Sequence, residues 1–439
     1  MNQKKILNYF HFFFFISFFF FWDINLFTLK NYNIFGIEQI KYLEISLNFL
    51  ILILLFPIFY LSISRKNNLN LFKTLKKQIN ILYLFLFVLI HTFVISFFYD
   101  KDLVLEDYLT IFFIFALGII YCKYRDFLFI NFEKIIFIFL IILIFFSLYN
   151  QVRVYNFGSC LADFYLISFL KKTLNLNLSN VFYKENSHLA MTIVGVLISI
   201  TYFASITKNK YWKAIFLVLT FFLFIFILQN SSTTFFVSYF VSQLIILIFY
   251  YKNISNYFWF YSFILLLISI FAFSSDNNCI KKISDFNIID VVEKKINKEE
   301  KNLTTLIYER SFIIAIDTIV SRPLGWGING TETATVNLLN KPKYKNIYIG
   351  AKQLNIKDAL GNIFKIINEF GVFSFIVFFM FIRYLLKLKK INGYNLFIIS
   401  LFITQCIRGA GFFNGGFIFC IFEFFYVSDL NKQFNKNLK

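Results

Sequence analysis

Charge is what this sequence has least of. Asp, Glu, Lys and Arg fill 15% of its 439 positions, against roughly 25% in soluble domains. That scarcity excludes a water-soluble globule with an ordinary polar shell. Glycine and proline are also few, with 15 and 3 residues against 68 Phe, and hydrophobic residues reach 59%. With a mean hydropathy of +0.69, the chain has far more apolar surface than it could hide from water. Its five cysteines (Cys122, Cys160, Cys279, Cys406, Cys420) include no C-x-x-C pair or metal spacing, which argues for inert thiols. Cys160 and Cys279 both fall in segments assigned to the outer side, so a disulfide between them is geometrically open. The first apolar stretch ends at Phe21-Trp22-Asp23 without the small residues a signal peptidase needs, so it is expected to stay as an anchor.

What is present is a series of long apolar runs. About 20 such residues cross a hydrocarbon core of about 30 Å as a helix, and inside lipid a helix satisfies its own backbone. Twelve runs qualify: 6–22, 44–63, 79–99, 104–122, 134–150, 188–206, 212–228, 233–251, 256–274, 367–386, 394–407 and 411–427. The expected fold is all-α, a polytopic membrane protein of about 12 transmembrane helices. It divides into helices 1–9 (1–274), one large loop (275–366), and helices 10–12 with a short tail (367–439). The Phe runs are read as interchangeable lipid-facing filler.

The net charge of +19 is a topology signal rather than a nucleic-acid footprint. With the N-terminus inside, 21 of the 43 Lys and Arg fall in cytoplasmic segments, 8 in short outer ones, and 14 in or beside the long loop. Long loops are exempt from the positive-inside rule. The asymmetry predicts that both termini are cytoplasmic and that the large loop lies outside. A loop of that length is itself a candidate functional element. Within it, 303–320 has the apolar stripe of an amphipathic helix (Leu306, Ile313, Ile316, Val320). Arg322-Pro323 ends that helix, and 160–172 is a second, interfacial candidate.

The Gly325-Trp326-Gly327-Ile328-Asn329-Gly330 run matches G-x-G-x-x-G but follows a helix and a proline. A dinucleotide site needs a preceding strand, so a tight turn is expected instead. Asp100-Lys101-Asp102 resembles a D-x-D metal motif, but acids at 100, 102, 106 and 107 more simply reinforce topology, and no metal is assigned. His11 and His91 lie in apolar stretches without an acidic neighbour and are read as structural. His188 has Glu185 three residues before it. That pair could accept a proton, or it could be a capped helix entry, and the residues leave both readings open.

Arg408 lies in Gln405-Cys406-Ile407-Arg408-Gly409-Ala410-Gly411-Phe412-Phe413-Asn414-Gly415-Gly416. An unpaired Arg at a bilayer centre costs about 3 kcal/mol. It is therefore a snorkelling anchor or an anion ligand. The crowd of small residues, which allows close approach to the backbone, favours the anion. Glu185, His188, Arg310, Arg322, Asp358, Asn362, Glu369, Arg408 and Asn414 all fall on the predicted outer side. Arginine forks suit phosphate or pyrophosphate, and carboxylates beside them suit a sugar hydroxyl.

These residues, together with the many helices and one large loop before the last of them, resemble the bacterial O-antigen polymerases (Wzy) of the O-antigen polymerase/ligase superfamily. Glu185-Asn186-Ser187-His188-Leu189-Ala190 is similar to an E-P-S-H-x-A segment. Arg310 followed by Pro323-Leu324-Gly325-Trp326-Gly327 resembles R…P-x-G-x-G. Glu369-Phe370-Gly371 and the 408–416 hairpin resemble later family segments. The resemblance implies a GT-C-like glycosyltransferase in the bacterial inner membrane, without cofactor or metal. Its partners would be membrane lipid and an undecaprenyl-pyrophosphate-linked oligosaccharide, with room for a chain-length regulator and none for nucleic acid. By that likeness Arg310 and Arg408 hold the pyrophosphate, and His188, Glu185 or Glu369 assists the attacking hydroxyl; Arg322 and Asn414, on the same predicted side, are further candidates for holding the pyrophosphate or glycan. Asn186 stands where the family has proline. Asp358-Ala359-Leu360-Gly361-Asn362 lacks the histidine usual in the ligase branch, which counts against a ligase and leaves the base unassigned. A flippase shares the twelve-helix layout, but the asymmetric placement of the one large loop argues against paired halves.

Overall fold

Apolar runs with few glycines or prolines to interrupt them fold as helices, and helices dominate the computed structural model of the protein. It describes residues 25–30, 42–46, 79–99, 101, 103–149, 186–230, 233–274, 303–341, 344, 355–388, 391–409 and 411–426. A short antiparallel pair, β1 (Asn25–Lys30) and β2 (Tyr42–Ser46), comes first. Thus the apolar run at 44–63 opens as strand. The run at 6–22, the 160–172 helix, Cys160, Cys279, Glu185 and both termini lie outside the described residues.

The helices follow as α1 (Ile79–Tyr99), α2 (Leu105–Tyr149), α3 (Asn186–Ile206), α4 (Lys210–Asn230), α5 (Thr233–Tyr250) and α6 (Asn256–Ser274). The large loop then contributes α7 (Leu303–Ser321), matching the expected amphipathic helix, and an unforeseen α8 (Thr331–Asn340). Next come α9 (Asn362–Phe370), a 3-10 turn at Gly371–Phe373, α10 (Ser374–Lys387), α11 (Gly393–Ile407) and α12 (Phe417–Tyr426).

Six stretches among the described residues are long and apolar enough to cross a membrane: Ile81–Tyr99, Arg125–Phe145, Ser187–Ile206, Lys210–Ile227, Thr233–Asn253 and Asn362–Lys387. Asn256–Ile270, Gly393–Ile407 and Phe417–Tyr426 are shorter apolar helices. Phe97, Ile130, Val218 and Leu386 stand exposed, an arrangement that only lipid makes comfortable. The protein is a helical, multi-pass membrane protein.

One expectation fails clearly. The runs at 104–122 and 134–150 are not two helices joined by a basic loop but a single 45-residue helix, α2. At 1.5 Å per residue it is roughly 68 Å long. Residues 123–133 carry charge but neither glycine nor proline, so nothing in the backbone stops the helix. Arg125, expected in a cytoplasmic loop, is buried.

At the centre, α3 packs antiparallel on α11. Gly195 lies against the ring of Phe397, where a Cβ would come within 2.8 Å of the ring. Four residues on, Ser199 donates to the Gly393 carbonyl at 2.8 Å, and Tyr202 donates to Ile391 at 2.9 Å. Small residues at a helix crossing allow this close approach. The register places His188, on the first turn of α3, level with Thr404. It also brings the start of α3 to the same end of the helices as Arg408.

Candidate functional site at the Arg408 end

Proline 323 fixes where α7 stops. The Arg322 amide makes the last helical bond, to Thr318, and the chain turns through Gly325 and Gly327 at φ +85° and +78°, a region that favours glycine. The turn is zipped to the end of α9. Trp326 N donates to Asn368 O, Gly327 N to Glu369 O and Val372 N to Pro323 O, each at 2.9 Å. A Cβ on Gly325 or Gly371 would collide with the opposing backbone. The G-x-G run is therefore a docking turn, and it anchors the loop to the short helix that carries Glu369.

Glu369 is fully buried. Its Oε1 lies 2.9 Å from Lys365 Nζ and accepts from Thr331 Oγ1 at 3.1 Å. Its Oε2 has no hydrogen-bond partner among the described residues, nor has either side-chain polar atom of buried Asn368. Lys365, one turn before Glu369, also donates to the Lys357 carbonyl at 2.7 Å and sits 5.3 Å over the Phe412 ring. Nearby, Asn329 donates to Asp107 and Thr110 at 3.1 Å. Lys101 donates to Ile328 O at 2.6 Å and lies 3.6 Å from Asp107. His91 Nε2 lies 2.8 Å from the Leu324 carbonyl. A carbonyl only accepts, so Nε2 carries the proton, and this histidine ties α1 to the docking turn.

The sequence-derived arginines distribute as follows. Arg310 is 0% exposed in α7, among the largest fully buried side chains. Two residues before it, Tyr308 donates to the Ile407 carbonyl at 2.7 Å, which joins α7 to the residue before Arg408. Burial pushes the Tyr308 phenol up to about 12, with Arg408 opposing, so the hydroxyl stays a donor. Arg408 is 8% exposed. Arg322 stacks over Trp326 at 3.9 Å and Tyr99 at 4.5 Å. His188 is half-buried on the first turn of α3. Asn414 opens a 3-10 turn, Asn414–Gly416, and its side chain is outside the described residues. α7, α8 and α9 pack on one another, and α9 packs on α11. Arg310, Arg322, Glu369 and Arg408 thus share one end of the molecule.

The glycine crowd around Arg408 has a local cause. Asn362 donates to Gln405 Oε1 at 3.1 Å and Gly411 O at 3.2 Å, and accepts from Gly411 N at 3.1 Å. A Cβ on Gly409 would overlap the Asn362 side chain. The small residues let the 408–411 segment lie against the start of α9, which accounts for them without a ligand. Among the described residues no cluster of His, Cys, Asp and Glu suits a metal ion; Asp100 and Asp102 lie outside them.

Sequence reasoning passed over Lys365, Asn368 and Thr331. The i, i+4 spacing of Lys365 and Glu369 was the available signal. It also passed over a second buried charge at the opposite end. There Arg125 donates to Glu423 through Nε at 3.0 Å and Nη2 at 2.5 Å. Tyr121 donates to Glu423 Oε2 at 2.5 Å and lies 2.7 Å from the Tyr394 hydroxyl. Phe129 and Tyr426 face the guanidinium at 4.5 and 4.8 Å. An acid alone in an apolar run was the missed sign.

Comparison with protein-family models, curated proteins and solved structures finds no match for this chain.

Proposed function

We propose that the protein is a polymerase of lipid-linked oligosaccharide repeat units, of the O-antigen polymerase type. It would transfer a growing glycan from undecaprenyl pyrophosphate to the next lipid-linked unit at the outer face of a bacterial inner membrane. The observation that carries this reading is the junction of α7, α9 and the 408–411 segment. It brings buried Arg310 and Arg408, the Lys365–Glu369 pair and the docking turn together at one end of the helices. Permanent planar cations suit a pyrophosphate that gains charge as it leaves.

A second feature supports a lipid-borne substrate. An apolar groove of about 240 Å³ runs between α1, α9, α10 and α12, lined by Phe87, Ile366, Phe370, Val377, Phe412 and Phe425. Phe412, whose ring lies 5.3 Å from the Lys365 ammonium, is one of its walls, so a tail in the groove would bring its head group near the cationic end.

Deleting the gene tests the reading. Loss of a polymerase leaves single repeat units on lipopolysaccharide. Long glycan stranded on undecaprenyl pyrophosphate would instead indicate a ligase, and repeat units held on the cytoplasmic face a flippase.

A further inference from the structure

The carboxylates at the Arg408 end are nearly all committed. Asp107 accepts from Asn329 and faces Lys101, and Glu369 holds Lys365 and Thr331 through Oε1, its unpartnered Oε2 being fully buried. Asp317 is paired with Lys341 at 2.7 Å, and Glu332 lies 3.8 Å from Lys357. Asp358 differs. It is only partly buried, and its carboxylate has no hydrogen bond or ion pair among the described residues.

The turn that carries it is nonetheless well tied. It holds Asn355, Ala359 and Leu360 at φ 51°, 50° and 63°, conformations that cost L-residues roughly 1–2 kcal/mol each. Four bonds hold that turn: Ala359 N to Asn355 O at 3.0 Å, Gly361 N to Ala359 O at 2.8 Å, Lys365 Nζ to Lys357 O at 2.7 Å, and Gly409 N to Leu360 O at 3.0 Å. The carboxylate faces the bare Cα of Gly411, where a Cβ would lie 3.0 Å from Oδ1. Arg408 is three residues away along that segment, and the Lys365 ammonium feels the Asp358 charge.

We propose that Asp358 accepts the proton of the attacking sugar hydroxyl. This rests on the polymerase reading. A general base must keep a lone pair for its substrate within hydrogen-bond reach, and here a carboxylate on a hydrogen-bonded turn keeps one open near the Lys365 ammonium. In the step, the hydroxyl O–H bond breaks and its proton passes to Asp358. The oxygen bonds the anomeric carbon, and the bond from that carbon to the pyrophosphate oxygen breaks with its electron pair leaving on the pyrophosphate. The protonated carboxyl then returns its proton to the departed pyrophosphate or to water. Glu106, also without a hydrogen bond or ion pair among the described residues, is exposed on the first turn of α2, where an acid suits the helix dipole; its charge too reaches Lys365, after that of Asp358.

The test is elongation of a polyprenyl-pyrophosphate-linked repeat unit by the full chain in proteoliposomes. Asp358→Asn should lower kcat about 100-fold or more with KM within about threefold. Asp358→Glu should keep more than about a tenth of the rate, which separates chemistry from folding, and Glu106→Gln should match wild type. An Asp358→Asn protein at wild-type rate, or loss of activity in Glu106→Gln alone, overturns the assignment while leaving the polymerase reading intact. A wild-type protein that joins no units overturns both.

Discussion

The two ends of this helical protein satisfy buried charge to different degrees. At the Arg125 end the guanidinium, the Glu423 carboxylate, the Tyr121 hydroxyl and three aromatic faces satisfy one another. At the Arg408 end, one oxygen of Glu369, both amide atoms of Asn368, the Ser311 hydroxyl and His91 Nδ1 are buried without hydrogen-bond partners among the described residues. A buried polar network is worth most when complete and costs most when half made. The closed network fastens α2 to α11 and α12, which lie far along the sequence from it. The open one has bonding capacity to offer a ligand, and a site that binds something must leave such capacity unused until the ligand arrives.

Mutations should separate the two roles. The largest effect is expected from Arg125→Ala, which strands Glu423 in the interior and should cost about 3–5 kcal/mol in a detergent melt. The double variant Arg125→Met/Glu423→Leu should recover most of that loss, and an unshifted melt for Arg125→Ala would break the comparison. Arg408→Ala should behave oppositely. Chain elongation should fall about 100-fold, near 2.7 kcal/mol of transition-state stabilisation, with insertion into the membrane intact, and Arg408→Lys should recover only part of it because the fork is lost. Thr331→Val removes a donor to the Glu369 carboxylate and should lower the melt by about 2 kcal/mol. The smallest change is Tyr308→Phe, at about 1 kcal/mol; because burial raises that phenol's pKa, its contribution should stay flat from pH 6 to 9.

Much of the helix placement was legible because about 20 apolar residues bounded by charge have one comfortable form in lipid. The runs 79–99, 188–206 and 233–251 and the amphipathic 303–320 differ from the observed helices by no more than two residues at either end. The reading failed where the deciding partner is distant. Lys123, Arg125 and Asp126 look like a loop until Glu423, 298 positions away, neutralises Arg125. Glu369 looked like the opening of a long helix, but Gly371 at φ +56° breaks that segment after Phe370. The glycines beside Arg408 looked like a cradle for an anion, yet the Asn362 side chain fills the space they leave. Local sequence shows that a position must be small or charged, and only the packed neighbour shows why.

Sidedness is the most direct test of the whole account. In a background with all five cysteines replaced, Glu332→Cys on the exposed face of α8 and Asn209→Cys in the exposed α3–α4 turn mark opposite ends. With a membrane-impermeant maleimide, Glu332→Cys should label on intact cells with an opened outer membrane, and Asn209→Cys only after the inner membrane is permeabilised. Labelling of Asn209→Cys from outside, with Glu332→Cys protected, would put the open cationic end in the cytoplasm and contradict the account.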